Sequence, residues 1–149
     1  MLKDTSIIYF ISGHTDLSRE LFDRHYKEKI TSAALNPNSR FIMGDAPGAD
    51  FMAQQLLISL FCDNSEKINR IRVYHRGDKP YKLADPRIKT VSGFKSHNDK
   101  DNAMTLNSNI DIAYVRSNEE SKLLYGNNYN PSRISGTEKN LERRIILGK

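Results

Sequence analysis

Apolar positions in this chain form short continuous runs that alternate with stripes of helical spacing. Apolar runs at residues 6–11 and 40–43 predict two strands. Each run precedes a stripe at intervals of three and four, which predicts a helix. The two stripes are Phe22, Tyr26, Ile30 and Ala33, and then Ala49, Ala53, Leu56, Leu57 and Leu60. Strands alternating with helices predict parallel strands joined by crossover helices.

The second half of the chain continues this pattern with longer polar stretches. Residues 68–74 and 110–115 are predicted as the third and fourth strands, and 97–109 as a helix. The last helix is predicted at 137–147, with an apolar stripe that we expect to be buried. This stripe consists of Leu141, Ile145 and Ile146.

Two polar stretches are predicted as long connections. Residues 75–98 contain several Gly and Pro positions and only a short extended patch at 88–91, and 116–134 is predicted as a flexible loop. Connections of this length are often lids or binding loops, although a surface excursion is equally compatible with the pattern. We therefore predict a single domain over residues 1–149, with a three-layer α/β fold and helices on both faces of a parallel sheet.

Glycine marks both of the first two strand-to-helix junctions. The first junction is Ser12-Gly13-His14, and the second runs from Gly44 to Asp50. Glycine leaves no Cβ in the path of a ligand, and the first turn of a helix presents free N–H groups to an anion. Two such loops at the carboxyl edge of a parallel sheet predict a phosphate site. The alternative is that each turn needed glycine for its backbone alone.

The predicted contacts in the second junction are Gly44, Asp45, Gly48, Ala49 and Asp50. Asp45 or Asp50 could accept hydrogen bonds from a ribose or hold a metal on a phosphate, while capping of the helix is the simpler role for Asp50. The junction contains neither G-x-G-x-x-G nor Gly-Lys-Ser/Thr, which excludes the dinucleotide motif and the P-loop.

Two further segments supply candidate ligand contacts. Lys100, Asp101 and Asn102 stand near the polar start of a predicted helix, where Lys100 could bind a phosphate and Asn102 a base or ribose. The alternative is an exposed charge pair at Lys100 and Asp101. The start of the last helix, Ser135-Gly136-Thr137, offers backbone donors and two hydroxyls to a phosphate.

Composition narrows the class of protein. The net charge is +5, and the basic residues are scattered, which indicates a solvated surface or attraction to acidic small molecules. The single cysteine, Cys62, excludes an internal disulfide, and we expect it to be buried. The sequence predicts no metal site and no cofactor, and no segment resembles a signal peptide or a membrane span. We expect a cytoplasmic protein. Its sequence is compatible with a monomer or a homo-oligomer.

Four of these motifs resemble those of the SLOG superfamily of Rossmann-like proteins. Residues 44–50 resemble its G-x-A-x-G-A-D turn, 100–104 its R-[DN]-x-x-M helix, 135–137 its S/G-G-T helix start, and 11–14 stand where it has a Gly-Ser-Arg turn. The group includes DprA-like proteins, molybdenum-cofactor carriers and Lonely-guy-type phosphoribohydrolases. The resemblance implies a Rossmann-like fold and a nucleotide-derived ligand across the carboxyl ends of the first, second and fourth predicted strands.

Two departures bear on catalysis. The phosphoribohydrolases of this group carry a glutamate three residues after the Thr of the G-T turn, where this chain has Asn140. An amide cannot act as nucleophile or base, and Glu138 and Glu142 are not expected on the face of Asn140. His14 stands where the group often has arginine. A hydrolase or transferase would then depend on Asp45, Asp50 or Asp101.

A nucleic-acid-binding module of the DprA type is a further alternative. It would use a basic stripe, which consists of Arg133, Lys139, Arg143 and Arg144. No aromatic platform accompanies this stripe, so we expect only weak affinity for nucleic acid.

Overall fold

Five parallel strands form one sheet in the computed structural model, which describes residues 6–132 and 134–148. The strands are β1 (Ile7–Ser12), β2 (Ser39–Gly44), β3 (Ile71–Tyr74), β4 (Lys89–Val91) and β5 (Ile110–Ala113). Their order across the sheet is β4-β3-β2-β1-β5, and every neighbouring pair is parallel.

Seven α-helices occur in the described ranges. They are α1 (Arg19–Phe22), α2 (Glu28–Ala34), α3 (Ala49–Phe61), α4 (Ser65–Ile68), α5 (His97–Leu106), α6 (Asn118–Tyr125) and α7 (Gly136–Leu147). A π-helical segment, Asp23–Lys27, joins α1 to α2, so the first predicted helix is continuous but not regular. A 3₁₀ turn, Gly126–Asn128, follows α6.

Helices cover both faces of the sheet. On one face, α2 and α3 pack over the larger core, which includes Ile11, Phe41 and Val73. On the other face Phe10 and Ile42 pack with Met104 of α5, and α7 lies beside α5. Neighbouring strand residues such as Phe10 and Ile11 point to opposite faces, and both are buried because both faces are covered. The predicted three-layer α/β fold is confirmed.

The strand order creates a switch point between β1 and β5. From β1 the chain adds β2, β3 and β4 in one direction, and β5 then pairs with the opposite edge of β1. The loops that follow β1 and β5 therefore diverge, and ligands of open parallel sheets bind in the crevice at such a point.

Three predicted segments differ from the structure. Residues 68–74 contain a strand only from Ile71, because Ile68 ends α4. The short extended patch near residue 88 is β4, an edge strand of the sheet. Residues 116–134 are not a continuous loop, since Ser117 and Glu120 form a reciprocal capping box that starts α6.

The predicted apolar stripe of the last helix is wrong for its two isoleucines, while Leu141 is half-buried. Ile145 and Ile146 are 80% and 82% exposed, whereas Thr137 and Asn140 are buried. The helix docks instead through polar contacts, because the Arg144 guanidinium pairs with Asp111 of β5 and donates to Ser108.

Cys62 is exposed, contrary to the sequence prediction. It follows α3 in the left-handed conformation, with φ of 47°, and this turns its side chain out of the apolar stripe. None of the helices in the described part of the chain is long and apolar enough to cross a membrane.

Candidate nucleotide site

A cleft of about 930 Å³ opens at the carboxyl edge of the sheet. Loops after β1, β2 and β5 border it, together with the first turn of α7. Most of the predicted site residues line this cleft: Ser12, Gly13, His14, Gly44, Asp45, Asp50, Lys100, Asp101, Ser135, Gly136 and Thr137. The topology thus brings together segments that lie more than 100 residues apart.

Gly48, Ala49 and Asn102 do not line the cleft. A Cβ on Gly48 would lie 2.4 Å from the backbone oxygen of His14, and the Ala49 N–H donates to that same oxygen at 3.2 Å. The N-terminus of α3 therefore packs against the loop after β1 and does not face an open ligand position. Asn102 is exposed on α5.

Gly13 is required by close packing beneath the cleft. A Cβ there would lie 2.4 Å from both Ala49 Cβ and the Tyr26 hydroxyl. That hydroxyl is buried, donates to the Ser12 carbonyl at 2.7 Å and accepts from the Tyr114 N–H at 2.9 Å. Tyr26 therefore ties together the ends of β1 and β5 at the switch point, and its burial raises its pKa.

Asp45, Asp50 and Lys100 form the polar floor of the cleft. Lys100 Nζ lies 3.6 Å from Asp45 Oδ1, and both side chains are largely buried. A Cβ on Gly44 would lie 2.8 Å from Asp50 Oδ2, so only glycine leaves room for this carboxyl group. The alternative of an exposed pair at Lys100 and Asp101 is therefore wrong for Lys100.

Asp50 does not cap α3. Gly48 occupies the N-cap position, and Asp50 Oδ2 accepts a hydrogen bond from the Ala46 N–H at 3.4 Å. Desolvation raises the pKa of Asp50 to about 7, although the nearby Lys100 opposes the shift. Burial also raises the pKa of Asp101, against Lys100 and Arg143. Such carboxyl groups can accept hydrogen bonds from hydroxyls or exchange protons near neutral pH.

The first turn of α7 presents donors at another side of the cleft. Ser135 Oγ accepts from the Glu138 N–H at 3.1 Å and caps the helix. The N–H groups of Gly136 and Thr137 have no acceptor among the residues that the structure describes. A helix N-terminus with free N–H groups is suited to an anion.

Ser12 provides a second, separate donor. Its side chain is only 6% exposed and lines the cleft, yet Oγ has no hydrogen-bond partner within the described ranges. A buried hydroxyl without a partner is unfavourable, so a partner from outside the chain would remove this cost.

His14 is held as a hydrogen-bond acceptor. Its Nε2 accepts from the Arg116 N–H at 3.1 Å, and burial together with the Arg116 charge lowers its pKa. A neutral imidazole is therefore expected at pH 7, and His14 does not replace the charge of an arginine in this turn.

Sequence reasoning did not include Arg116 in the site. Its guanidinium pairs with Asp16 at 2.7 Å, and both residues line the cleft. The Tyr125 hydroxyl donates to Asp16 Oδ2 at 3.2 Å, which connects α6 to the same pair. The available signal was the position of Arg116 just after a predicted strand, where parallel sheets bind ligands.

The predicted long connection borders the cleft through five residues: Arg76, Lys79, Pro80, Tyr81 and His97. Asp45 Oδ2 accepts from the Tyr81 N–H at 2.7 Å. The buried amide of Gln54 bonds Lys82 O at 3.1 Å and the Ala84 N–H at 2.8 Å. These contacts hold the connection against the carboxyl end of β2. Gln54 was missed, although a polar residue within an apolar helix was a usable signal.

Asn140 is buried and lines the cleft, with its Oδ1 accepting from Arg143 Nη1 at 2.6 Å. Glu138 also borders the cleft, although residues two apart on a helix lie on different faces, so it does not take the position of Asn140. Glu138 lies in the first helical turn, where residues around the whole helix end reach the cleft. In the described ranges no group of three or more His, Cys, Asp or Glu could hold a metal ion.

Comparisons with protein-family models, with curated proteins and with solved structures find no match to this chain. The resemblance to the SLOG superfamily therefore stays a prediction from the motifs.

Proposed function

We propose that this protein binds a nucleotide or a nucleotide-derived small molecule in the cleft. The phosphate would lie on the first turn of α7, where the N–H groups of Gly136 and Thr137 have no acceptor among the described residues. Sugar hydroxyls would donate to the carboxyl groups of Asp45 and Asp50. The proposal depends most on the unpaired donors at one side of the cleft and the carboxyl groups at another, since a phosphorylated sugar needs both.

This assignment changes the position of the phosphate relative to the sequence prediction. The loop after β2 contributes a carboxyl-rich floor, and the N-terminus of α3 already binds the His14 carbonyl. A phosphate beside Asp45 and Asp50 would lie close to two carboxyl groups, and Lys100 is already paired with one of them. Hydroxyl groups carry no such penalty, so the sugar fits the floor better than the phosphate does.

The test is binding of a panel of mononucleotides, dinucleotides, cyclic nucleotides and ADP-ribose, measured by thermal denaturation. A ligand at a hundred times its Kd should raise the stability of the protein by about 2.7 kcal/mol. Absence of any shift over the whole panel would contradict the proposal.

The variant Ser12→Ala tests whether the ligand binds in the cleft. Loss of one hydrogen bond should weaken binding about three- to tenfold, while stability without ligand should not fall because the hydroxyl has no partner to lose. Thr105→Val is the matched control, since Thr105 Oγ1 is also buried and unpaired in the described part of the chain but does not line the cleft. Equal effects of both substitutions would place the ligand elsewhere.

An enzymatic role is the second candidate, favoured by the position of Asp50 in the cleft with a pKa of about 7. A carboxyl group of this pKa could transfer a proton in a hydrolase or transferase reaction. The test is chromatography of nucleotides that bind, after incubation with stoichiometric protein. Release of free base or phosphate by the natural protein, lost in Asp50→Asn with binding retained, would support catalysis. Intact nucleotide would support binding alone.

A further inference from the structure

A second, smaller cavity lies at the opposite, amino end of the strands. Its volume is about 270 Å³, and it lies on the face of the sheet that α5 covers farther along the strands. Ile8 of β1 and Ile42 of β2 form an apolar part of its wall. The polar part comes from arginine, asparagine and tyrosine side chains: Arg40, Asn69, Arg70, Arg72, Tyr74 and Asn107.

The strand register places cations side by side here. Arg72 of β3 pairs with Ile42 of β2, so Arg40, two residues before Ile42, lies diagonally opposite on the same face. Lys89 of β4 pairs directly with Arg72 and continues the row. None of the three forms an ion pair with a carboxylate within residues 6–132 and 134–148.

This arrangement is costly without a counterion. Arg72 is half-buried, and burial followed by the charge of Arg40 lowers its pKa. Like charges on adjacent strands destabilise a sheet. Arg70, which also borders the cavity, is occupied elsewhere by the carbonyls of Ala34, Asn36 and Ser39. The repulsion is therefore between Arg40 and Arg72, with Lys89 adding to it.

Hydrogen-bond donors also exceed acceptors around this cavity. The Tyr74 hydroxyl accepts from Asn107 Nδ2 at 3.0 Å, and its own proton has no acceptor among the described residues. Among the described residues, Arg72 donates through Nη1 alone, to the carbonyls of Asn69 and Ile71. Its remaining N–H groups and those of Arg40 are available to a ligand.

We propose that this cavity binds a small organic phosphate, in which the phosphate contacts Arg40 and Arg72 and an apolar or aromatic body lies on Ile8 and Ile42. Guanidinium groups bind phosphate through paired hydrogen bonds, and a charged ligand would remove the repulsion between them. The cavity is smaller than sites for drug-sized ligands, and three cations make only a short row, so a small molecule fits better than a nucleic acid. This site is separate from the cleft and does not depend on the function proposed for it.

The experiment is calorimetric titration with phenyl phosphate, at constant ionic strength. Arg40→Gln should weaken binding at least tenfold, and because Arg40 is exposed and its loss relieves repulsion, the melting temperature without ligand should not fall. Arg72→Gln should weaken binding similarly. Arg24→Gln is the matched control, because Arg24 is exposed, pairs with Glu20 and does not line the cavity, and this variant should bind like the natural protein.

Three results would overturn the proposal. The first is unchanged binding in both Arg40→Gln and Arg72→Gln. The second is binding that Ser12→Ala weakens and Arg40→Gln does not, which would place the phosphate in the cleft. The third is displacement of phenyl phosphate by a short single-stranded DNA of higher affinity that is sensitive to Arg40→Gln, which would assign the surface to nucleic acid.

Discussion

Asp50 is the residue whose protonation most affects the cleft. Its pKa of about 7 is far above the ordinary value of 3.8, because the carboxyl group is desolvated between the β2 loop and Lys100. A group at this pKa is neutral in part of the molecules at pH 7, so it can donate as well as accept a hydrogen bond.

The raised pKa predicts how stability depends on pH. Between about pH 4 and pH 7 the folded protein holds a proton on Asp50 that the unfolded chain has released, so stability falls as the pH rises through this window. Asp50→Asn does not titrate there and should gain about 1–2 kcal/mol relative to the natural protein between pH 4 and pH 8. The side chain is partly exposed, which keeps this value below the full effect of the shift. Urea denaturation at both pH values measures it, and parallel pH curves would contradict it.

Substitution by alanine should cost much more stability at Gly48 than at Gly136. Gly48 has φ of 77°, and a Cβ there would lie 2.4 Å from the His14 carbonyl oxygen, so Gly48→Ala should lose about 2–4 kcal/mol. A Cβ on Gly136 would contact none of the described residues within 4 Å and its φ is ordinary, so Gly136→Ala should change the free energy of unfolding by less than about 1 kcal/mol. Equal losses in chemical denaturation would show that the packing of the two loops does not explain Gly48.

Short motifs marked most of the predicted residues that line the cleft, although Gly48, Ala49 and Asn102 of these motifs do not line it. The sequence missed residues whose position depends on distant contacts. Gly13 and Lys100 stand within recognisable local patterns. Arg116 borders the cleft because β5 pairs with β1, which brings Arg116 next to His14. Gln54 bonds the connection after β3 because that connection folds back over α3. Neither the pairing of β5 with β1 nor the position of the connection over α3 produces a local periodicity in the sequence. Residue spacing alone could therefore not predict these contacts.

Helix α7 shows how an apolar stripe can mislead at the scale of an element. Its apolar residues predicted the buried side, but the helix is fixed by Arg144 on Asp111 and buries the polar residues Thr137 and Asn140 near its N-terminus. A buried arginine pair of this kind gives no hydrophobic signal. Strands β1, β2, β3 and β5 were predictable because their apolar runs are long or alternate clearly. Strand β4 is short and has two exposed residues, so its pattern is weak.

Substitutions in α7 should separate the two interpretations. Ile145→Ala and Ile146→Ala should each change stability by no more than about 0.5 kcal/mol, because both side chains are mostly in solvent. Leu57→Ala in α3 is the control with a fully buried side chain, and it should cost about 2–5 kcal/mol. Chemical denaturation gives all three values. A loss above 2 kcal/mol in either isoleucine variant would mean that the apolar face of α7 is covered.

On the scale of the whole molecule, some of the basic side chains behind the net charge of +5 are engaged within the protein, which leaves fewer of them to bind a polyanion. Of the predicted basic stripe, Arg144 is paired with Asp111, Arg143 donates to Asn140 in the cleft, and Arg133 lies outside the described residues. Lys139 is the remaining member of the stripe, and it is exposed on α7. The overall field can attract phosphate groups without fixing a duplex in place.

We therefore expect duplex DNA to bind weakly and through its charge alone. At 150 mM salt the Kd of a labelled 20-base-pair duplex should be about 10⁻⁵ M or weaker, as is typical of non-specific binding. The affinity should fall steeply between 50 and 200 mM salt, by about 0.9 log units per log unit of salt for each phosphate contacted. Fluorescence anisotropy measures both quantities. Lys139→Gln should change binding no more than Arg24→Gln does, because Arg143 and Arg144 of the same stripe are engaged by Asn140 and Asp111. A nanomolar Kd that persists at 200 mM salt and is lost only in Lys139→Gln would instead identify α7 as a nucleic-acid-binding helix.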